Sequence, residues 1–131
     1  MKLVIGGYYQ GKLQVVLHEK KDDSFLIFDS VIPCADEIKN ISNEKCIIIN
    51  HFHLWVREQI MNEKNPEEEI KEFIRDNDNC VIISDEIGNG IVPIDKKERE
   101  CRERTGRILV EIAKMADEVV RVVCGIEQKI K

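Results

Sequence analysis

Five short apolar runs divide the chain, and each has the length of a β-strand. They cover residues 2–5, 25–28, 46–49, 80–84 and 119–124. Apolar residues follow one another in these runs without regular alternation, which is typical of strands covered on both faces. The pattern therefore predicts an α/β fold with a mainly parallel sheet flanked by helices, rather than an antiparallel sheet with one face in solvent.

Longer, helix-compatible segments separate the apolar runs. We expect helices at residues 11–20, 52–62, 66–75 and 95–116. Pro66 suits a first helical turn, and the glutamates that follow it favour the positive end of a helix. In the longest segment one set of residues recurs at spacings of four and three, which predicts a stripe packed against the sheet: Cys101, Thr105, Ile108, Ile112 and Met115.

Composition and charge narrow the class of protein. With 131 residues and no internal repeat, the chain predicts a single domain over residues 1–131. A net charge of −5 argues against nucleic acid as the main partner, because affinity for a phosphate backbone comes from clustered Lys and Arg. No apolar run approaches the roughly 20 residues that span a bilayer, and the first run is too short for a signal peptide. We expect a cytoplasmic protein that does not bind membranes.

The cysteines predict free thiols rather than disulfides. There are five, an odd number, and they are far apart with no Cys-x-x-Cys pair. Cys46, Cys80 and Cys124 stand beside β-branched runs and are expected to be buried.

The turn after the first run matches the phosphate-loop pattern G-x-x-x-x-G-K. In that motif the glycines let backbone N–H groups point at a phosphate, the lysine neutralises its charge, and a following Ser or Thr ligates Mg²⁺. Leu13 stands at the last position and cannot ligate a metal, which argues against bound Mg²⁺. The predicted nucleotide-binding residues are Gly6, Gly7, Tyr8, Tyr9, Gln10, Gly11, Lys12 and Leu13. An ordinary glycine turn with a solvated lysine explains the local sequence about equally well.

Two further polar segments follow later runs. Asn50 ends the third run, where phosphate-loop enzymes usually carry an acid that organises Mg²⁺. His51 and His53 could hold a transition metal, but no third ligand is indicated and ordinary polar or packing roles are favoured. Glu86 follows the fourth run at the edge where α/β proteins bind ligands, so it is a candidate catalytic residue, with an acidic surface turn as the alternative.

Together these segments resemble the bifunctional adenosylcobinamide kinase / adenosylcobinamide-phosphate guanylyltransferase family of cobalamin biosynthesis. Residues 84–93 read Ser-Asp-Glu-Ile-Gly-Asn-Gly-Ile-Val-Pro, where the family has Ser-Asn-Glu-Val-Gly-x-Gly-Ile-Val-Pro. Leu54 and Trp55 match a family Leu-Trp, and similarity continues through residues 116–125. The resemblance implies a RecA-like P-loop NTPase architecture, binding of GTP or ATP, a corrinoid substrate and a homo-oligomer.

The departures from this family concern its chemistry. Leu13 replaces the loop Ser or Thr, Asn50 replaces an Asp, and Leu109-Val110 replaces an Asn-Gln pair. The family segment with the nucleophilic histidine is shortened to residues 29–45, which contain no histidine. Losing such groups typically removes several kcal/mol of transition-state stabilisation. We therefore expect reduced or no transferase activity, with Lys12 and Glu86 as the remaining catalytic candidates. The alternative is a non-catalytic subunit that binds a nucleotide, a corrinoid or a protein; a purely structural subunit is a third hypothesis.

Overall fold

A six-stranded sheet forms the centre of the protein. The computed structural model describes residues 1–19, 24–39 and 45–131. In the described part of the chain the strand order is β2-β3-β4-β1-β5-β6, with β6 alone antiparallel to its neighbour. The strands are β1 (Lys2–Gly6), β2 (Phe25–Asp29), β3 (Cys46–Asn50), β4 (Cys80–Asp85), β5 (Glu118–Val123) and β6 (Ile126–Lys129). The predicted α/β fold with a mainly parallel sheet is confirmed.

Helices cover both faces of the sheet. They are α1 (Lys12–Glu19), α2 (Ala35–Lys39), α3 (Phe52–Met61), α4 (Pro66–Asp76) and α5 (Lys96–Met115). Residue 20, the end of the first predicted helix, lies outside the described residues. The short α2 was not predicted.

Successive strand residues supply two separate hydrophobic clusters, because side chains alternate between the faces of a strand. Leu3, Ile47 and Ile82 belong to the cluster that includes buried apolar side chains of α3, α4 and α5, such as Phe52, Ile70 and Ile108. Val4 and Ile48 belong to the other cluster, which Val16 of α1 joins. Every residue of β3 and β4 is buried, which explains why these two strands read as continuous apolar runs.

Helix α5 is fixed at its start by a side-chain cap. The carboxylate of Asp95 accepts a hydrogen bond of 3.0 Å from the backbone N–H of Glu98. Four members of the predicted stripe are buried, but Met115 is 43% exposed. The predicted stripe is wrong at this last position, since Met115 is the final residue of the helix.

The carboxyl-terminal hairpin was not predicted. After β5 the chain turns at Cys124 and Gly125, which have positive φ angles of 51° and 75°. Two-residue turns with positive φ match the twist of paired strands. All four residues of β6 are exposed, so the strand leaves no apolar run in the sequence.

The cysteines are all free thiols, as expected. Cys46, Cys80 and Cys101 are buried, whereas Cys34 and Cys124 are exposed. The prediction that Cys124 is buried was wrong, because this residue lies in the hairpin turn and not in the strand before it. Among the described helices, none is both long and apolar enough to cross a membrane.

Candidate functional site

The turn after β1 folds as a loop closed by the start of α1. Tyr9 and Gly11 both have positive φ angles, of 54° and 83°. Residues with a Cβ atom rarely adopt this backbone conformation, whereas glycine adopts it without strain. Val15 donates a backbone hydrogen bond of 3.1 Å to the carbonyl oxygen of Gly11, so the helical hydrogen bonds start within the loop.

The loop is attached to the β5–β6 turn through Gln10. The side-chain oxygen of Gln10 accepts a hydrogen bond of 2.7 Å from the backbone N–H of Cys124. Its backbone carbonyl accepts a second bond of 2.9 Å from the N–H of Gly125. This contact between distant parts of the chain could not be read from the sequence motif.

Lys12 is buried and turned back toward the loop. Its side chain is only 8% exposed, and Nζ lies 2.5 Å from Oδ1 of Asp85. Nζ also donates a hydrogen bond of 2.7 Å to the carbonyl oxygen of Gly7. The expectation of a solvated lysine, which formed part of the alternative, is therefore wrong.

Asp85 reaches this position because of the strand order. It is the last residue of β4, and β4 pairs directly with β1 so that Asp85 faces Gly6 in register. The side chain of Asp85 is 10% exposed. The sequence pattern placed Asp85 only in an acidic loop and predicted no role for it. Its position directly after an apolar run was the signal that could have identified it as a site residue.

His53 contacts Asp85 from α3. Nδ1 of His53 accepts a hydrogen bond of 3.2 Å from the backbone N–H of Asp85, and Nε2 lies 3.6 Å from Oδ2. Burial lowers the pKa of His53 below its ordinary value, with further lowering by His51 and Lys12, while Asp85 opposes the shift. The neutral ring that results carries its proton on Nε2, since Nδ1 is an acceptor.

Asn50 and His51 form a second polar group at the end of β3. Nδ2 of Asn50 donates a hydrogen bond of 3.0 Å to Oδ1 of Asp29, which also lies 2.6 Å from Nδ1 of His51. Asp29 pairs with Asn50 across β2 and β3. His51 and His53 thus contact different carboxylates, and their ring centroids are 6.1 Å apart. Among the described residues no group of three His, Cys, Asp or Glu side chains could hold a metal ion.

An open cleft of about 680 Å³ lies between the loop and the ends of β3 and β4. Residues 8–14 line one side, and the other side contains Asn50, His51, His53, Leu54 and Asp85. Tyr8 and Tyr9 are strongly exposed, and their rings form an edge-to-face pair with centroids 4.3 Å apart. The cleft therefore joins an exposed aromatic surface to a buried ion pair.

Glu86 lies apart from this cleft. Its carboxylate accepts a hydrogen bond of 3.0 Å from Arg121 of β5, and it is not among the residues that line the cleft. Its backbone N–H donates to the carbonyl oxygen of Gly6 over 2.9 Å. The structure does not bring Glu86 and Lys12 together as paired catalytic side chains; it brings Asp85 to Lys12 instead.

The loop after Glu86 exposes apolar residues, and two arginines of α5 bind its backbone carbonyl oxygens. Ile91 and Ile94 are 94% and 97% exposed. Arg102 donates to the carbonyl oxygens of Ile91 and Gly88 over 2.7 and 2.6 Å, and Arg99 donates to that of Pro93 over 2.9 Å. Two arginines of α5 thus hold this loop in place.

Comparison with known proteins identifies relatives. The bifunctional adenosylcobalamin biosynthesis protein CobU of Salmonella typhimurium is 45% identical over 51 residues, which are 39% of this chain and 28% of that protein. The protein of the same name from Escherichia coli is 43% identical over a segment that covers the same shares of the two chains. Each match therefore spans less than a third of the relative's length.

A family description covers much more of the chain. The family model described as cobinamide kinase / cobinamide phosphate guanyltransferase matches residues 12–130. The match begins at Lys12 and does not itself include the glycines of the loop. It does include α1, the end of β4 and the segment after it. The chain belongs to the cobinamide kinase / cobinamide phosphate guanyltransferase family.

Proposed function

We propose that residues 6–13 bind the phosphates of GTP or ATP, in a cobinamide kinase/guanylyltransferase-like protein with reduced or no transferase activity. The observation that carries this proposal is the burial of Lys12 beneath a loop with left-handed turns, at the edge of an open cleft. A parallel sheet gathers its ligands at this carboxyl edge. A corrinoid such as cobinamide is the second ligand implied by the family.

Reduced activity follows from what surrounds Lys12. Leu13 offers no oxygen ligand, Asn50 is bonded to Asp29, and the ammonium charge is neutralised by Asp85. Phosphoryl transfer depends mainly on positioned positive charge and metal ions around the phosphates. Glu86, the other catalytic candidate, is paired with Arg121 outside the cleft.

Nucleotide binding is tested by isothermal titration calorimetry with GTP, ATP and cobinamide, each with and without Mg²⁺. We expect binding of a nucleotide that raises the thermal midpoint as its concentration rises. No heat and no thermal shift at millimolar GTP or ATP would contradict the proposal.

Variants at Lys12 locate the site. Removing one partner of a buried ion pair typically destabilises a protein by about 3–5 kcal/mol, so Lys12→Ala alone could unfold the chain. The double variant Lys12→Met/Asp85→Asn keeps the cleft uncharged and removes the ammonium group. We expect it to fold and to lose nucleotide binding, while Lys64→Ala, an exposed residue after α3, binds as the wild type does.

Transfer activity is tested separately with GTP labelled in the guanosine. We expect no covalent label on the protein, because the shortened segment over residues 29–45 contains no histidine. Acid-labile label that remains after denaturation would show guanylylation and contradict this part of the proposal.

The alternative function is a non-catalytic subunit that binds a partner, a second copy of this chain included. It is favoured by the exposed side chains of Ile91 and Ile94, which lie in a loop bonded to Arg102. Exposed apolar surface of this kind marks interaction sites. Light scattering on the wild type and on Ile91→Ser/Ile94→Ser tests it: we expect a homo-oligomer that the double variant dissociates, and a monomeric wild type would contradict self-association.

A further inference from the structure

Lys12 already has a counter-ion inside the protein. Its Nζ lies 2.5 Å from Oδ1 of Asp85, and both side chains are at most one-tenth exposed. One of the remaining ammonium donors is used by the carbonyl oxygen of Gly7. A phosphate that enters the loop therefore meets an ion pair rather than a free positive charge.

The carboxylate of Asp85 is held in place by the fold. Asp85 ends β4 and lies opposite Gly6 in the central strand pair. Its backbone N–H is bonded to His53, whose Nε2 lies 3.6 Å from the second carboxylate oxygen. Asp85 therefore has a second polar neighbour that remains beside it when Lys12 turns toward a ligand.

The negative charge of Asp85 opposes the binding of a phosphate group beside Lys12. Two like charges a few ångströms apart repel more strongly in a partly buried site than in water. Two further carboxylates at this end of the sheet are already paired: Asp29 accepts a hydrogen bond from Asn50 and lies close to His51, and Glu86 accepts one from Arg121. Neither Leu13 nor Asn50 adds positive charge to offset the carboxylate.

We propose that Asp85 is the residue that sets the phosphate affinity and selectivity of this loop, because it is an internal counter-ion that a ligand must displace from Lys12. The proposal rests on the proposed function, since it assumes that phosphate binds at the loop. A ligand with several phosphates offers Lys12 more negative charge than a single phosphate does. Asp85 also repels that larger charge more strongly, so the loop selects polyphosphates over monophosphates less strongly than it would with an uncharged residue at this position.

The test replaces the carboxylate by its neutral isostere. Binding of inorganic triphosphate, inorganic phosphate and GTP to Asp85→Asn is measured by calorimetry without Mg²⁺. We expect all three to bind at least about tenfold tighter than to the wild type, which corresponds to about 1.4 kcal/mol. The ratio of triphosphate to phosphate affinity should rise, because the removed carboxylate repels the more highly charged ligand more strongly.

A matched control separates the local effect from net charge. Asp76→Asn makes the same change of charge at an exposed residue that ends α4. It should leave all three affinities at their wild-type values. If Asp85→Asn does not fold, Asp85→Ser keeps a hydroxyl acceptor for Lys12 and carries the same expectation.

The outcomes distinguish this inference from the proposed function. Equal binding by the wild type and Asp85→Asn would overturn the role of Asp85 and leave nucleotide binding intact. Binding by Asp85→Asn alone would support the role of Asp85 and contradict nucleotide binding by the natural chain. If neither protein binds any of the three ligands, both proposals are overturned.

Discussion

A Cβ atom on Gly6 would lie 2.5 Å from the backbone carbonyl oxygen of Val122. Real Cβ atoms do not approach a backbone oxygen so closely, and Val122 lies inside β5 where it cannot move alone. The glycine therefore allows β1 and β5 to pair at the point where the loop begins. The neighbouring strand β5 therefore requires glycine at position 6, whether or not a ligand approaches the loop.

We predict that Gly6→Ala destabilises the fold and weakens nucleotide binding. Overpacking in a close contact typically costs about 1–3 kcal/mol, and the displaced strand end would shift the loop. Urea unfolding and calorimetry measure the two effects. Gly7→Ala is the control for stability, because its nearest contact is the flexible side chain of Gln10 at 3.4 Å. Equal loss of stability in both variants would contradict the argument.

We predict that Gln10→Ala lowers nucleotide affinity more than it lowers stability. The lost hydrogen bond to Cys124 is worth about 1 kcal/mol at most, because the freed N–H lies in an exposed turn that water can reach. The loop, however, loses a side-chain attachment to the β5–β6 turn. Calorimetry with GTP and chemical denaturation are compared with Gln128→Ala on the exposed β6. Unchanged GTP affinity in Gln10→Ala would show that this attachment does not position the loop.

We predict that Leu13→Ser makes nucleotide binding more dependent on Mg²⁺. The hydroxyl would supply the metal ligand that the phosphate-loop motif normally provides. Leu13 packs against the cluster that contains Val4 and Val16, so the variant should also lose about 1–2 kcal/mol of stability. Leu13→Ala loses the same packing without adding a hydroxyl and is the control. The GTP affinity with and without Mg²⁺ is the measurement, and equal ratios in both variants would contradict the prediction.

We predict that His53 makes the protein less stable in mild acid. Its pKa is lowered in the folded state, mainly by burial, so the unfolded chain takes up the proton at a higher pH than the folded chain does. The contribution of neutral His53 to stability is therefore fully present above the pKa of this residue in the unfolded chain. It is lost as the pH falls through its pKa in the folded protein. The difference in unfolding free energy between wild type and His53→Gln should change in favour of the wild type as the pH rises from about 5 to about 7. A difference that stays constant over this pH range would contradict the prediction.

We predict that two of the five thiols react quickly with Ellman's reagent in the native protein. Cys34 and Cys124 are exposed, whereas the other three are buried. Burial raises the pKa of Cys80 to about 12, so its reactive thiolate is rare near pH 8. Full denaturation should release the remaining thiols. A third fast thiol in the native state would contradict the burial of this group.

The fold was more predictable from the sequence than the site was. Five of the six strands in the described part of the chain are rich in apolar residues, so they were predicted within a residue or two at each end. The exposed β6 carries no such signal. Residues 40–44, within the shortened segment, lie outside the described residues.

The site depends on strand order, which no local pattern contains. Sequence analysis looked for the acid of the phosphate site at the end of β3 and found Asn50. In the structure β4 lies between β3 and β1, so the acid nearest the loop is Asp85. The next residue, Glu86, pairs with Arg121 instead, as expected when successive side chains leave a strand on opposite sides. A shift of one residue thus separated the predicted carboxylate from the one that contacts Lys12.

The hydrogen bonds of Gln10 give the carboxyl-terminal hairpin a second structural role. β6 is an exposed edge strand and looks dispensable for the hydrophobic clusters. Yet both hydrogen bonds that Gln10 accepts come from the turn that β6 closes. A chain shortened before Cys124 would lose β6 and both of these hydrogen bonds, so the last eight residues also hold the loop for which we propose phosphate binding.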